Sequence, residues 1–78
     1  MLIQQKEGAL EARIGANLKS AEQLCRSIES FLAAEAPEMD QFAAMLLARE
    51  SVNNAVVHGS RHSPKASVEV RVKVEDDH

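Results

Sequence analysis

From Leu10 to Leu18 apolar and polar positions alternate: Leu10, Ala12, Ile14, Ala16 and Leu18 fall on one side, Glu11, Arg13 and Asn17 on the other. A period of two over this length predicts a half-buried strand. Gly15 interrupts the row and marks a bulge or a close backbone approach. Residues 1 to 8 carry no usable period. After Ser20 the period lengthens: Leu24, Cys25, Ile28, Phe31 and Leu32 recur at helical spacing, with Glu35 breaking the stripe. Ser20 and Gln23 stand at the spacing of a capping box, which places the helix start at Ser20. Pro37 cannot continue a helix, so the end is expected near Ala36.

A second helix is expected from Asp40 to His58, with Phe42, Met45, Leu46, Val52 and Val56 as its apolar side and Gly59 as a left-handed stop. Ser60 to Lys65 then reads as a polar loop containing Pro64. Val68, Val70, Val72 and Val74 alternate with Glu69, Arg71, Lys73 and Glu75, the clearest strand pattern in the chain. The predicted class is α+β in the order strand, helix, helix, strand, with both helices on one face. Two strands rarely make an independent sheet, so the row of valines should offer an edge to further chain or to another copy. A homo-oligomer is expected, with these strands or those near Ile14 pairing or packing across chains.

Length bounds the possibilities: 78 residues allow one small unit. Of the 45% apolar residues, twelve are alanine, so the core is thin for its composition. The single Cys25 cannot form an internal disulfide and has no neighbour at metal-ligand spacing. Twelve acidic residues against nine basic give a net charge of −3. That balance, with only two phenylalanines and no Trp or Tyr, argues against direct nucleic-acid binding. The one basic cluster, Arg61, His62 and Lys65, reads as a solvated loop rather than a phosphate site. No run approaches membrane-spanning length, and the N-terminus lacks signal-peptide design. A cytoplasmic protein is expected.

The chemistry-bearing stretch is Arg49-Glu50-Ser51-Val52-Asn53-Asn54-Ala55-Val56-Val57-His58-Gly59. Glu50, Asn54 and His58 are four apart, and each step of four turns only about 40° on a helix. A carboxylate, an amide oxygen and an imidazole therefore share one face, with Glu50 and Asn54 well away from the centre of the Phe42/Met45/Val56 stripe. An amide oxygen and a carboxylate suit a magnesium–phosphate site, since Mg²⁺ takes oxygen ligands and keeps several waters. A carboxylate one turn away can accept a proton from an attacking hydroxyl.

Glu50-x-x-x-Asn54-Ala55-x-x-His58-Gly59 resembles the N-box of the GHKL ATPases, and is most similar to that of the bacterial anti-sigma-factor serine kinases. The five fixed letters would arise by chance in well under about one in a thousand chains of this length. The likeness spans roughly Leu10 to Asp77. It implies a partial histidine-kinase-like (Bergerat) ATPase fold, with residues 1–78 forming the N-terminal half of such a domain. It further implies that Asn54 ligates Mg²⁺ held by ATP phosphates and that Glu50 is the general base. His58 is placed beside the nucleotide phosphates or, as a cation near a helix end, acts as a cap. An anti-anti-sigma factor and a sigma factor are the implied partners of the intact protein, which would regulate transcription by partner switching.

The departure from the family pattern is equally specific. The Asp-x-Gly-x-Gly motif that reads adenine is absent, as is the Gly-rich ATP lid, and Asp76-Asp77-His78 has no following glycines. The 78-residue chain is therefore expected not to bind Mg-ATP measurably on its own. Two alternatives stay open: a non-catalytic interaction or dimerisation module, and an unrelated α+β interaction domain whose Glu50/Asn54/His58 face is simply solvated.

Overall fold

A computed structural model describes residues 2–6, 8–62 and 66–74. Strand β1 (Leu2–Lys6), strand β2 (Ala9–Gly15), helix α1 (Leu18–Glu35), helix α2 (Gln41–His62) and strand β3 (Ser67–Lys73) follow in chain order. The strands form one antiparallel sheet in the order β1-β2-β3. The α+β class is as expected, but the order is strand, strand, helix, helix, strand.

The additional strand is β1, in the stretch that carries no sequence period. It pairs with β2 from Leu2↔Arg13 to Lys6↔Ala9. A tight connection through Gly8, with φ of +74°, makes this possible. That backbone region is open to glycine at no steric cost. Only Ile3 of β1 packs against the core, so its remaining residues follow solvent rather than an alternation.

β2 is the central strand. Leu10, Ala12 and Ile14 are buried beneath the helices, and β3 lies alongside with Leu10↔Val72, Ala12↔Val70 and Ile14↔Val68 opposed. The four valines of the 68–74 row therefore share the helix-covered face, where they are half-buried. On the open face, Arg13 pairs with Glu69, and Arg71 pairs with Glu11 at 3.2 Å. These pairs are solvent-exposed and contribute little to stability. The expectation near Ile14 is left with packing alone, because β2 is paired on both sides. The other, that β3 offers an edge, agrees with its place at the margin of the sheet.

Helix α1 begins earlier than its capping-box pattern predicts. Asn17 is the N-cap, and its side-chain Oδ1 accepts the Ser20 N–H at 2.8 Å. Ser20 thus sits in the first turn, and Leu18 belongs to the helix rather than to the strand. Gly15 allows this corner, since a Cβ there would lie 2.8 Å from the Asn17 Nδ2. The approach at Gly15 is made by side chains, where a bulge or a close backbone approach is expected. The buried face of α1 is Ala21, Leu24, Cys25, Ile28, Phe31 and Leu32, matching the sequence stripe. The helix closes at Ala36, whose N–H reaches the Leu32 carbonyl at 2.8 Å. Gln41 then caps it from the next element, its Nε2 donating to the Ala36 carbonyl at 2.7 Å and to Leu32 at 3.3 Å.

Asp40 starts α2 by accepting the Ala43 N–H on its carboxylate at 3.1 Å. The apolar stripe of α2 differs from the one expected. Val52 and Val56 are buried, and Ala44, Met45 and Ala48 pack against the core, but Phe42 and Leu46 are 76% and 57% exposed. Large apolar residues surround the first half of this helix, so periodicity does not select a stripe there. Contact with α1 and the sheet selects the one containing two alanines. The helix also passes through Gly59 and ends at His62, so Gly59 is neither left-handed nor a stop. Pro64 and Lys65 of the anticipated loop lie outside the described residues, as do Asp76, Asp77 and His78.

Candidate functional site

Glu50, Asn54 and His58 all lie on α2, and all three are exposed. Helical geometry places Asn54 about 200° around the axis from buried Val52. The three polar residues therefore occupy the side of α2 turned away from the sheet. The burial of Val52 and Val56, at 1% and 3% exposure, fixes this rotation. Burial of that valine pair holds the Glu50/Asn54/His58 face toward solvent.

No hydrogen bond or ion pair among the described residues engages the Glu50 carboxylate or the Asn54 amide. His58 does make an interaction of its own. Arg49, next to Glu50, turns the other way and donates to Glu22 of α1 at 3.0 Å. This pair ties α2 to α1 while leaving Glu50 toward solvent. Asn53 is exposed, and Ala55 is half-buried beside the core stripe. Arg61 is exposed in the last turn of α2 rather than in a loop.

The residue types fit a hydrated Mg²⁺–phosphate group: a carboxylate and an amide oxygen, one turn apart and without competing partners. The site as described is a convex helix face. Among the described residues, no group of three or more His, Cys, Asp or Glu side chains could hold a metal ion. A magnesium ion here would take most of its ligands from phosphate oxygens and water.

Concavities among the described residues lie elsewhere. One, of about 540 Å³, lies on the open face of the sheet between Leu2, Gln4, Arg13, Glu69 and Arg71. Another, of about 310 Å³, is a groove between α2 and β3 lined by Ile28, Leu47, Ala48, Ser51, Val70 and Val72. Neither is lined by Glu50, Asn54 or His58. The groove did not emerge from the sequence, because it depends on which flank of α2 overhangs β3. The one sequence signal for it is the uninterrupted valine alternation of β3.

Cys25 lies in the core, 1% exposed, at the α1–α2 contact. Burial pushes its thiol pKa above the ordinary value; nearby Arg49 opposes the shift and Glu22 reinforces it. It is a packing residue, as its position in the α1 stripe predicts.

No family model, curated protein or solved structure matches this chain. No helix among the described residues is long and apolar enough to cross a membrane.

Proposed function

We propose that the chain is the magnesium- and base-bearing half of an ATP-dependent serine protein kinase of the anti-sigma-factor type. The observation that carries this reading is the shared solvent-facing side of Glu50 and Asn54, with neither side chain engaged inside the fold. A merely structural helix face would not need a carboxylate and an amide oxygen aligned one turn apart. That arrangement suits a phosphate-bound magnesium ion with a proton acceptor beside it. Within this reading Asn54 supplies an oxygen to the ion. Glu50 would accept the proton of a serine hydroxyl on a partner protein as that oxygen bonds to the γ-phosphorus and the bond to the β-phosphate oxygen breaks, releasing ADP. His58 stands one turn beyond Asn54, beside the phosphates. The nucleotide supplies the transferable phosphoryl group; this chain supplies ion ligation and proton acceptance. Adenine recognition requires residues absent from these 78, so the reading assigns nucleotide binding to the intact domain. An anti-anti-sigma factor as substrate and a sigma factor as binding partner come from the sequence resemblance, as does the Bergerat fold.

The test uses the protein with whatever coding sequence follows residue 78. Asn54→Ala should abolish Mg-ATP binding in calorimetric titration. Glu50→Ala should retain binding and lower serine phosphorylation by about a hundredfold or more, the usual contribution of a positioned base. An unchanged phosphorylation rate in Glu50→Ala would remove the base assignment. Micromolar Mg-ATP affinity in the 78-residue chain alone would show that the missing motif is not needed, and the half-domain reading would fall.

A further inference from the structure

We infer that the outer edge of β3 is a self-association surface on which a second copy of this chain adds its own β3 antiparallel, about a two-fold axis at Val70. The inference does not depend on the proposed kinase reading.

The backbone sets the geometry. Ala16 donates to the Ala66 carbonyl and Val74 donates to the Gly8 carbonyl, at 3.1 and 2.9 Å. Both bonds belong to the register in which Ala12 opposes Val70. In an antiparallel ladder, hydrogen-bonded pairs alternate with non-bonded ones. The even-numbered residues of β3 therefore turn their N–H and C=O groups toward β2. Ser67, Glu69, Arg71 and Lys73 turn theirs outward, where no strand among the described residues meets them. This is the template on which another strand can be added.

Charge selects the occupant and its register. A second β3 centred on Val70 sets Glu69 opposite the other copy's Arg71 twice, and Ser67 opposite its Lys73 twice. All four pairs have their polar backbone groups directed into the new ladder. Moving the centre to Arg71 would oppose two arginines, and moving it to Val72 would oppose Arg71 and Lys73. Among registers centred from Glu69 to Val72, only the Val70 one is free of like-charge pairs. On the open face, the new contacts join ion pairs already present, Arg13 with Glu69 and Arg71 with Glu11, into a continuous alternating row.

The helix-covered face agrees. In the same register Val70 opposes Val70 and Val68 opposes Val72, and these valines are only half-buried in the single chain. The 310 Å³ groove beside them is apolar along Ile28, Leu47, Ala48 and Val52, and Leu47 is 69% exposed. The other sheet edge lacks these features. β1 is shorter, and its Gln4, Gln5 and Lys6 carry no apolar row.

Cysteine cross-linking reads the register directly. Opposed residues of a non-hydrogen-bonded pair have Cα atoms about 4.5 Å apart, within disulfide range. Under mild oxidation Val70→Cys should form a covalent dimer of twice the 8.5 kDa chain mass. Val68→Cys and Val72→Cys should each fail alone, because like positions lie four residues, about 13 Å, out of register. An equimolar mixture of those two should cross-link. The unaltered chain is the control for Cys25. Arg71→Pro removes an outward N–H and no backbone bond to β2, and its lost side-chain pair with Glu11 is solvent-exposed, so it should convert the sedimenting dimer to monomer with the circular dichroism unchanged. Equal cross-linking of Val68→Cys alone would overturn the register. A dimer persisting in Arg71→Pro would place the contact elsewhere, for instance on the exposed Phe42 and Leu46. A clean monomer at high micromolar concentration would overturn the association itself.

Discussion

A Cβ placed on Gly59 would lie 2.9 Å from the Cγ2 of Val68 and 3.4 Å from the Cβ of Ala16. Gly59 is thus the point where the last turns of α2 come down onto the start of β3. The glycine serves close approach, since its backbone is helical and not left-handed. This contact helps seat α2 on the sheet.

Gly59→Ala sets two effects against each other. Removing a glycine from a helix interior gains about 1 kcal/mol. Forcing a methyl against a β-branched neighbour costs about 1–3 kcal/mol. We expect net destabilisation of about 1 kcal/mol, a loss of roughly 4–8 °C in melting temperature for a domain of this size. The double variant Gly59→Ala/Val68→Ala should be more stable than the two single losses added together. A Gly59→Ala variant that melts higher than the parent would show that Val68 yields freely.

The start of α1 separates two capping assignments. Asn17→Ala removes the acceptor of the Ser20 N–H and should cost about 1 kcal/mol. Ser20→Ala keeps that N–H and should cost no more than about 0.5 kcal/mol. Denaturant titration of the two variants should preserve this order; the reverse order would restore Ser20 as the cap.

The two apolar sides of α2 should respond unequally. Val52→Ala deletes two buried methyl groups and should cost about 2 kcal/mol or more. In a chain this short that is a large share of the total. Phe42→Ala, at an exposed site, should change stability by no more than about 0.5 kcal/mol and improve solubility. A large loss of chemical-denaturation stability in Phe42→Ala would mean that this ring is buried in solution.

The Cys25 thiol should be silent in the native state. Its burial favours the neutral form, so the folded pKa is raised above the unfolded one. The resulting stability is fully present below the unfolded pKa and is lost as pH rises past it. The native chain should react with a thiol reagent at neutral pH only as fast as it opens. Denaturation midpoints should fall more between about pH 8 and pH 10 in the parent than in Cys25→Ala. An equal fall in both would remove Cys25 from the alkaline response.

The amino-acid pattern alone determined several features. The β2 and β3 strands follow from two-residue alternation, because each has one face in the core. The α1 stripe and its end before Pro37 follow from helical spacing and from proline's missing N–H. The alignment of Glu50, Asn54 and His58 needs only a helix through those positions. Tertiary structure decided the rest. β1 exists because β2 offers it a ladder and Gly8 turns the chain, while its own side chains carry almost no alternation to be read. The cap at Asn17 was fixed by where β2 leaves the sheet, since more than one polar residue there can cap a helix. The buried stripe of α2 was chosen by α1 and β3 from a segment apolar on several sides. Gly59, a helix stop by composition, became a contact residue because Val68 and Ala16 approach it. In each case the sequence permitted more than one local answer, and long-range packing selected among them.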